Sequence, residues 1–189
     1  MPAPPEERCQ LLQKFVPTRD AMSPLHCTTR SPADTDRLAA ALAPLLDPGD
    51  ILWLNGPLGA GKTRLVQGLA AAAGCTNAFV NSPTFVLVQE YDGPLPIFHV
   101  DAYRLRSSDE FLQLGGEELL ESGGVTCIEW AERIADVLPA EALRITITVT
   151  GPTDRSYELT PEGRRWVHRV ERLRAALAAY AAGLSGPND

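Results

Sequence analysis

The stretch from residue 51 to residue 63, ILWLNGPLGAGKT, constrains the fold more than any other part of the chain. Gly56, Gly61, Lys62 and Thr63 fit the pattern G-x-x-x-x-G-K-[ST]. The apolar run before Gly56 predicts a buried strand, and LVQGLAAAAG after the pattern predicts a helix, which is the context that the pattern requires. A strand, a glycine turn and a helix in this order predict an α/β domain with a phosphate-binding loop.

The residue types in this loop suit a polyphosphate ligand. Gly59 and Ala60 allow backbone N–H groups to approach phosphate oxygens closely, at the positive end of the following helix. Lys62 is one of only two lysines beside fifteen arginines, and its compact, mobile charge would reach the β and γ phosphates. The hydroxyl of Thr63 would bind Mg²⁺.

Composition limits the remaining possibilities. A chain of 189 residues, of which 44% are hydrophobic and 22% charged, is typical of one globular domain. The net charge of -7 argues against a protein that binds nucleic acid over its whole surface. The four cysteines form no C-x-x-C pair that would indicate zinc or redox chemistry. With no signal-like apolar segment and no run of about 18 apolar residues, we expect a cytoplasmic protein without a membrane span.

Local patterns divide the rest of the chain into elements. Residues 1–24 contain five prolines and no sustained periodicity, which predicts a flexible extension. Ser31 before Pro32 predicts the start of a helix that Asp47-Pro48-Gly49-Asp50 ends. We predict strands over 85–91, 95–103, 125–130 and 143–150, short helices around 108–122, and a helix over about 162–183. The predicted organisation is one domain over 25–161 and a C-terminal helix and tail over 162–189.

Two acids follow apolar runs that could deliver them to the phosphate loop. Glu129 ends the run VTCIE, and Asp101 stands in HVDAYR after another apolar stretch. Open α/β sheets bind ligands at the carboxyl ends of their strands. Either acid could therefore complete a Mg²⁺ site. The alternative for each is a helix cap or an exposed turn.

Two further features have two interpretations each. His99 could contact a substrate, or it could be a hydrogen-bonded structural residue, and we do not predict it as a catalyst. Ser82-Pro83-Thr84-Phe85 is either a turn that enters a strand or a switch-like loop facing a γ-phosphate. Sequence pattern alone does not choose between them.

Taken together, GPLGAGKT, SPTFVLVQEY, HVDAYR and IEWAER, in this order and spacing, resemble the TsaE family over roughly residues 28–160. The family consists of P-loop ATPases of bacterial tRNA threonylcarbamoyladenosine synthesis. The resemblance implies a single P-loop NTPase-like α/β domain with a central mixed sheet flanked by helices. It also implies binding of ATP with Mg²⁺ and slow ATP hydrolysis that supports TsaB and TsaD partner proteins. Those partners install the threonylcarbamoyl group on adenosine beside the anticodon, so tRNA would be met indirectly or through the complex.

The resemblance also implies roles for particular residues. Asp101 would be the catalytic or metal-associated acid, while Thr63 and Glu129 would hold Mg²⁺. Trp130 would pack near the nucleotide, and Arg155 is similar to a family arginine near it. The residues that would line the phosphates are Gly59, Ala60, Gly61, Lys62, Thr63 and Arg64.

This chain departs from the family pattern at Pro57, where the family commonly has Asp or Glu. Proline has neither an N–H group nor a carboxylate, so a role of that acid in shaping the loop or contacting a partner is left open. Two other protein classes also stay open: a P-loop small-molecule kinase with Arg104 and Arg106 in a lid, and a non-catalytic ATP-dependent interaction module. A GTPase is disfavoured because the chain has no N-K-x-D segment.

The C-terminal helix combines an apolar stripe with a basic segment. Trp166, Val170, Leu173, Leu177 and Tyr180 share one face. Residues 163–174 carry five arginines, Arg164, Arg165, Arg169, Arg172 and Arg174, against one glutamate. Either the stripe docks on the domain while the arginines solvate the outer face, or the basic face meets tRNA phosphates or an acidic partner.

Overall fold

A computed structural model describes residues 23–76 and 87–184. Two predictions lie largely or wholly outside these residues: the flexible extension over 1–24, and the turn or switch at Ser82-Pro83-Thr84-Phe85. The last residues of the predicted tail, 185–189, also lie outside them.

The described residues form an α/β fold, as predicted, in which a seven-stranded sheet carries helices on its faces. The strands are β1 Leu25–Thr29, β2 Ile51–Asn55, β3 Val88–Tyr91, β4 Ile97–Asp101, β5 Val125–Glu129, β6 Leu143–Val149 and β7 Arg155–Pro161. The helices are α1 Pro32–Leu42, α2 Lys62–Ala72, α3 Ser108–Gln113, α4 Gly116–Leu120, α5 Gly163–Val167 and α6 Val170–Leu184, with 3-10 turns at Ala43–Leu45, Ala102–Arg104 and Ala131–Arg133. In the part of the chain that the structure describes, no helix is long and apolar enough to cross a membrane.

The sheet is mixed, in the order β1-β7-β6-β2-β5-β4-β3. Its four central strands, β6, β2, β5 and β4, are parallel. The outer pairs β1–β7, β6–β7 and β3–β4 are antiparallel. Because parallel strands end at the same edge of a sheet, β2, β5 and β4 bring their carboxyl ends together.

The position of β2 inside the sheet explains why its sequence is an unbroken apolar run. Leu52 and Leu54 belong to the core cluster on one face of the sheet, which also contains residues of α1, α2 and α6. Ile51 and Trp53 belong to the cluster on the other face, with Phe111 of α3. Both faces are covered, so alternate residues are buried on opposite sides and no polar position is needed.

Helix α1 begins where the sequence predicts it. The hydroxyl of Ser31 accepts a hydrogen bond from the backbone N–H of Asp34 at 3.1 Å, and Pro32 is the first helical residue. This N-cap satisfies one of the N–H groups that a helix start leaves without a partner. The cap fixes the entry into the helix that packs beside α2.

Two strands were not predicted from sequence. Strand β1, LHCTT, pairs along its whole length with β7, RSYELTP, which lies about 130 residues later in the chain. Strand β7 does carry a period-two signal, because Tyr157 and Leu159 are buried while Glu158 between them is exposed. Alternation of this kind is the signature of a strand with one covered face.

The C-terminal segment is helical, as predicted, but it consists of two helices, α5 and α6, rather than one. The predicted apolar stripe is confirmed: Trp166, Val170, Leu173, Leu177 and Tyr180 are all buried. They belong to the same core cluster as residues of β1, α1 and β2. Helices α5 and α6 thus complete one face of the domain.

The prediction that the arginines of this segment all face outward is wrong for Arg169. Its side chain is 8% exposed and donates two hydrogen bonds to the Asp50 carboxylate, at 2.7 and 2.6 Å. Its guanidinium also lies 4.3 Å from the centre of the Trp166 ring. Arg165 reaches the same carboxylate at 3.4 Å from an exposed position. At least one arginine of the basic segment is therefore part of the interior of the fold.

Candidate nucleotide and metal site

The glycine loop connects β2 to α2 and adopts a backbone that other residues would not tolerate. A Cβ added at Gly56 would lie 2.5 Å from the carbonyl oxygen of Ile147, so only glycine fits against β6. Gly61 has φ of 99° and is the N-cap of α2, with no side chain capping the first turn. The first N–H groups of α2 therefore face the loop, an arrangement that favours an anionic ligand.

Lys62, the first residue of α2, is buried in this loop at 4% exposure. Its ammonium donates hydrogen bonds to the carbonyl oxygens of Gly56 at 2.8 Å and Pro57 at 3.1 Å. It also lies 3.9 Å from the centre of the Trp130 ring. Burial lowers the pKa of Lys62, while Glu129 and Asp101 act in the opposite direction. The carbonyl oxygen of Pro57 therefore accepts two hydrogen bonds within the loop, from Lys62 and from the backbone N–H of Ala60.

The two strand-end acids lie side by side at the carboxyl edge of the sheet. Asp101 of β4 pairs directly with Glu129 of β5, and both are buried. The hydroxyl of Thr63 donates to Oε1 of Glu129 at 2.6 Å. A hydroxyl and a carboxylate oxygen in contact are hard oxygen ligands of the kind that Mg²⁺ takes, together with phosphate oxygens and water. These two residues fit the predicted metal site.

Asp101 combines the two interpretations that the sequence left open. Its Oδ1 accepts the backbone N–H of Tyr103 at 3.0 Å and so caps the 3-10 turn Ala102–Arg104. The same side chain lines the cleft beside the phosphate loop. The structure therefore places Asp101 both as a cap and as a carboxylate beside the predicted ligand.

Trp130 follows Glu129 directly and turns the chain away from the sheet. It has a left-handed backbone conformation, with φ of 58°, which is uncommon for a bulky residue. The ring of Tyr103 lies 5.1 Å from it, centre to centre. Trp130 and Tyr103 form the aromatic side of the cleft, with the ammonium of Lys62 over the tryptophan ring.

Two predicted ligand residues, Arg64 and Arg155, have protein partners in this structure. Arg64 forms an ion pair with Asp36 of α1. Arg155, at the start of β7, donates to the carbonyl oxygens of Ala60 at 2.9 Å and Gly59 at 3.3 Å. Arg155 thus holds the backbone of the glycine loop through two of its carbonyl groups.

The loop, the acids and the aromatic pair enclose a cleft of about 490 Å³. A smaller cleft of about 160 Å³ adjoins it and shares Ala60, Gly61 and Arg64 with it. The lining of the main cleft is Leu58, Gly59, Ala60, Gly61, Lys62, Thr63, Arg64, Gln67, Asp101, Tyr103, Glu129 and Trp130. Arg155 does not line the main cleft and lines the smaller cleft instead. Apart from Arg155, every predicted site residue lines one cavity.

Sequence reasoning did not connect His99 and Tyr91 to this site. The His99 side chain is fully buried and hydrogen-bonds to Glu129 at 2.8 Å and to Tyr91 at 3.3 Å. These contacts confirm the interpretation of His99 as a hydrogen-bonded structural residue. The register of β4 against β5 would have predicted the contact between His99 and Glu129. His99 pairs with Cys127, and Glu129 lies two residues further along β5 on the same face.

Comparison with known proteins identifies the family of this chain. The family model described as threonylcarbamoyl adenosine biosynthesis protein TsaE matches residues 29–157. The chain is 41% identical over 153 residues to a Bacillus subtilis protein named tRNA threonylcarbamoyladenosine biosynthesis protein TsaE, covering 80% of this chain and 95% of that protein. It is 39% identical over 131 residues to the Treponema pallidum protein of the same name, covering 69% of this chain and 96% of the other.

A solved structure is similar over most of its length. The crystal structure of Bacillus subtilis YdiB superposes with a TM-score of 0.66 at 34% identity, covering 84% of this chain and 97% of the other. The matched family region runs from the end of β1 to the first residues of β7, and it contains the sheet centre and the whole cleft described above. On the family model, the identities and the fold, this chain belongs to the TsaE family.

Proposed function

We propose that the protein binds ATP with Mg²⁺ in the cleft and hydrolyses it slowly in support of tRNA threonylcarbamoyladenosine synthesis. The observation that carries the proposal is the contact between Thr63 of the glycine loop and Glu129 of β5, beside the buried ammonium of Lys62. A phosphate cradle and a metal-binding acid are the two parts that phosphoryl chemistry requires in a P-loop protein.

The chain's own residues divide the work. Lys62 and the N–H groups at the start of α2 bind the phosphates. Thr63 and Glu129 would hold Mg²⁺, whose chemical contribution is to neutralise charge that develops on the phosphate oxygens. Asp101, on the neighbouring strand, would orient the attacking water and accept its proton. The smaller cleft beside Arg64 and Arg155 would take the nucleoside end of the ligand.

An exposed apolar rim favours the participation of a partner. Leu58, at the tip of the glycine loop, is 80% exposed, and Tyr103 across the cleft is 44% exposed. Both residues line the mouth of the cleft, where a protein that covered the site would bury their side chains. We propose that TsaB- and TsaD-type proteins are those partners, and that tRNA is reached through their complex.

The direct test is reconstitution of tRNA modification from the purified chain with TsaB- and TsaD-type proteins, following phosphate release and modified adenosine together. Both signals should depend on this chain and on ATP. Modification at the same rate without this chain would contradict the proposed role. Modification that needs ATP binding but proceeds without phosphate release would favour the non-catalytic interaction module instead.

The metal role of Glu129 is tested by Glu129→Gln. The amide oxygen can still accept the hydrogen bonds that Thr63 and His99 now donate, so the shape of the site is kept while one negative charge is lost. We expect the Mg²⁺ affinity of the nucleotide complex to fall by about tenfold or more, with metal-free nucleotide affinity changed much less. Calorimetric Mg²⁺ titrations at fixed ADP measure both, and identical titrations for variant and wild type would remove Glu129 from the metal site.

The catalytic role of Asp101 is tested by Asp101→Asn. Asparagine keeps an oxygen that can cap Tyr103, but it cannot accept a proton from water. We expect single-turnover hydrolysis to slow by about 100-fold, with nucleotide affinity close to that of wild type. Equal single-turnover rates at saturating ATP would end the catalytic role and leave Asp101 as a cap.

A further inference from the structure

His99 of β4 connects the core of the sheet to the candidate metal site. Its Nε2 lies 2.8 Å from Oε1 of Glu129, and its Nδ1 lies 3.3 Å from the hydroxyl of Tyr91 on β3. The Tyr91 and His99 rings are stacked, with centres 6.1 Å apart and an angle of 25° between their planes. The three side chains form one hydrogen-bonded row beneath the cleft.

The carboxylate fixes the direction of one hydrogen bond in this row, and the neutral form of the ring gives the direction of the other. A carboxylate oxygen only accepts, so Nε2 of His99 carries the proton that is donated to Glu129. Nδ1 of the neutral ring is then an acceptor, and it receives the hydroxyl of Tyr91. Burial raises the pKa of Tyr91 to about 12, so the hydroxyl keeps its proton at neutral pH. One assignment of donors and acceptors therefore satisfies every member of the row.

The row ends at a carboxylate oxygen of Glu129 that also accepts a hydrogen bond from the Thr63 hydroxyl. Oε1 of Glu129 accepts from His99 on one side and from Thr63 on the other. The terminal torsion of a glutamate has a broad preference and is readily turned when nothing holds the carboxylate. His99 comes from β4 and Thr63 from α2, so two separate elements hold one carboxylate in place.

We propose that His99 is a positioning residue that orients the Glu129 carboxylate and thereby sets the affinity of the site for Mg²⁺. This inference rests on the proposed function, because it assigns Glu129 to the metal. Hydrogen-bond partners of metal ligands commonly change metal affinity by about 10-fold to 100-fold when they are removed. A residue that only fills the interior would change stability without changing metal affinity.

Two amide substitutions separate these roles. In His99→Gln the amide nitrogen stands near the place of Nε2 and can still donate to Glu129, whereas in His99→Asn the shorter amide stands near Nδ1 and faces Tyr91. Both variants are polar and both lose the ring. We expect His99→Asn to weaken Mg²⁺ binding at fixed ADP by about 10-fold to 100-fold and His99→Gln to recover most of that loss, while metal-free ADP affinity is unchanged in both.

Calorimetry of the full chain with ADP, with and without Mg²⁺, supplies the readout, and urea unfolding reports stability. Equal Mg²⁺ affinity in wild type, His99→Asn and His99→Gln would overturn the inference and leave the proposed function standing. Failure of the wild-type chain to bind ADP, with or without Mg²⁺, would instead contradict the proposed function itself.

A third variant covers the case in which neither His99 variant folds. Tyr91→Phe keeps the stacked ring and removes only the hydroxyl that donates to Nδ1. The ring of His99 then loses the bond that fixes its proton arrangement, so we expect Mg²⁺ affinity to fall, by less than in His99→Asn. A folded Tyr91→Phe protein with wild-type Mg²⁺ affinity would count against the inference.

Discussion

Replacement of Lys62 by alanine should reduce ATP affinity by about 100-fold or more. Hydrogen bonds to charged groups contribute about 1.5–3 kcal/mol each, and about 1.4 kcal/mol corresponds to a tenfold change in affinity. Lys62 is 4% exposed and holds its ammonium beside the loop carbonyls and above Trp130. Burial lowers the pKa of Lys62, which means that the protein alone stabilises the ammonium charge poorly. A bound polyphosphate would stabilise that charge better, through charge-assisted hydrogen bonds. Isothermal calorimetry with ATP and Mg²⁺ measures the loss.

Two control variants separate charge from shape. Lys62→Met keeps an unbranched apolar stem over Trp130 but has no charge, so it should lose nearly as much affinity as Lys62→Ala. Arg174→Ala removes one positive charge from an exposed position on α6, and it should leave ATP affinity unchanged. If Lys62→Met binds ATP as tightly as wild type, the ammonium does not hold the phosphates and the cradle assignment fails.

The part of the site that sequence predicts best is the part that is continuous in the chain. The run from Ile51 to Thr63 contains its strand, its glycine turn and the start of its helix, so local physics fixes its shape. Glu129 and Asp101 could also be placed, because both end apolar strands and parallel strands deliver their ends to one edge. The sequence could not rank their roles, since the cap at Tyr103 depends on the turn that follows Asp101.

Features that depend on distant pairing could not be predicted. Strand β1 is recognisable only beside β7, and the contact from His99 to Glu129 needs the order and register of β4 and β5. The inward position of Arg169 could be predicted in part from its place in the sequence. It lies in the turn between α5 and α6, three residues after Trp166 and one before Val170 of the buried stripe, but its partner Asp50 is more than 100 residues away.

That partner makes Asp50→Asn the substitution with the largest expected effect on stability. Asp50 is 1% exposed and accepts two hydrogen bonds from Arg169 and one from the backbone of Asp47. Asparagine would remove the buried counter-charge of Arg169 and leave its guanidinium only the exposed Asp47 carboxylate, 3.3 Å away. Removing one member of a buried ion pair costs about 3–5 kcal/mol, so we expect the urea midpoint to fall accordingly with the slope of the transition unchanged.

The double variant Asp50→Leu with Arg169→Met tests whether the cost lies in the unpaired charge. Replacing both members of a buried pair by apolar side chains of similar volume is often neutral, so the double variant should be more stable than Asp50→Asn alone. Glu171→Gln is the matched control, because it breaks the exposed ion pair with Arg174 on the same helix and should change stability little. If Asp50→Asn costs no more than Glu171→Gln, the buried pair does not anchor α6.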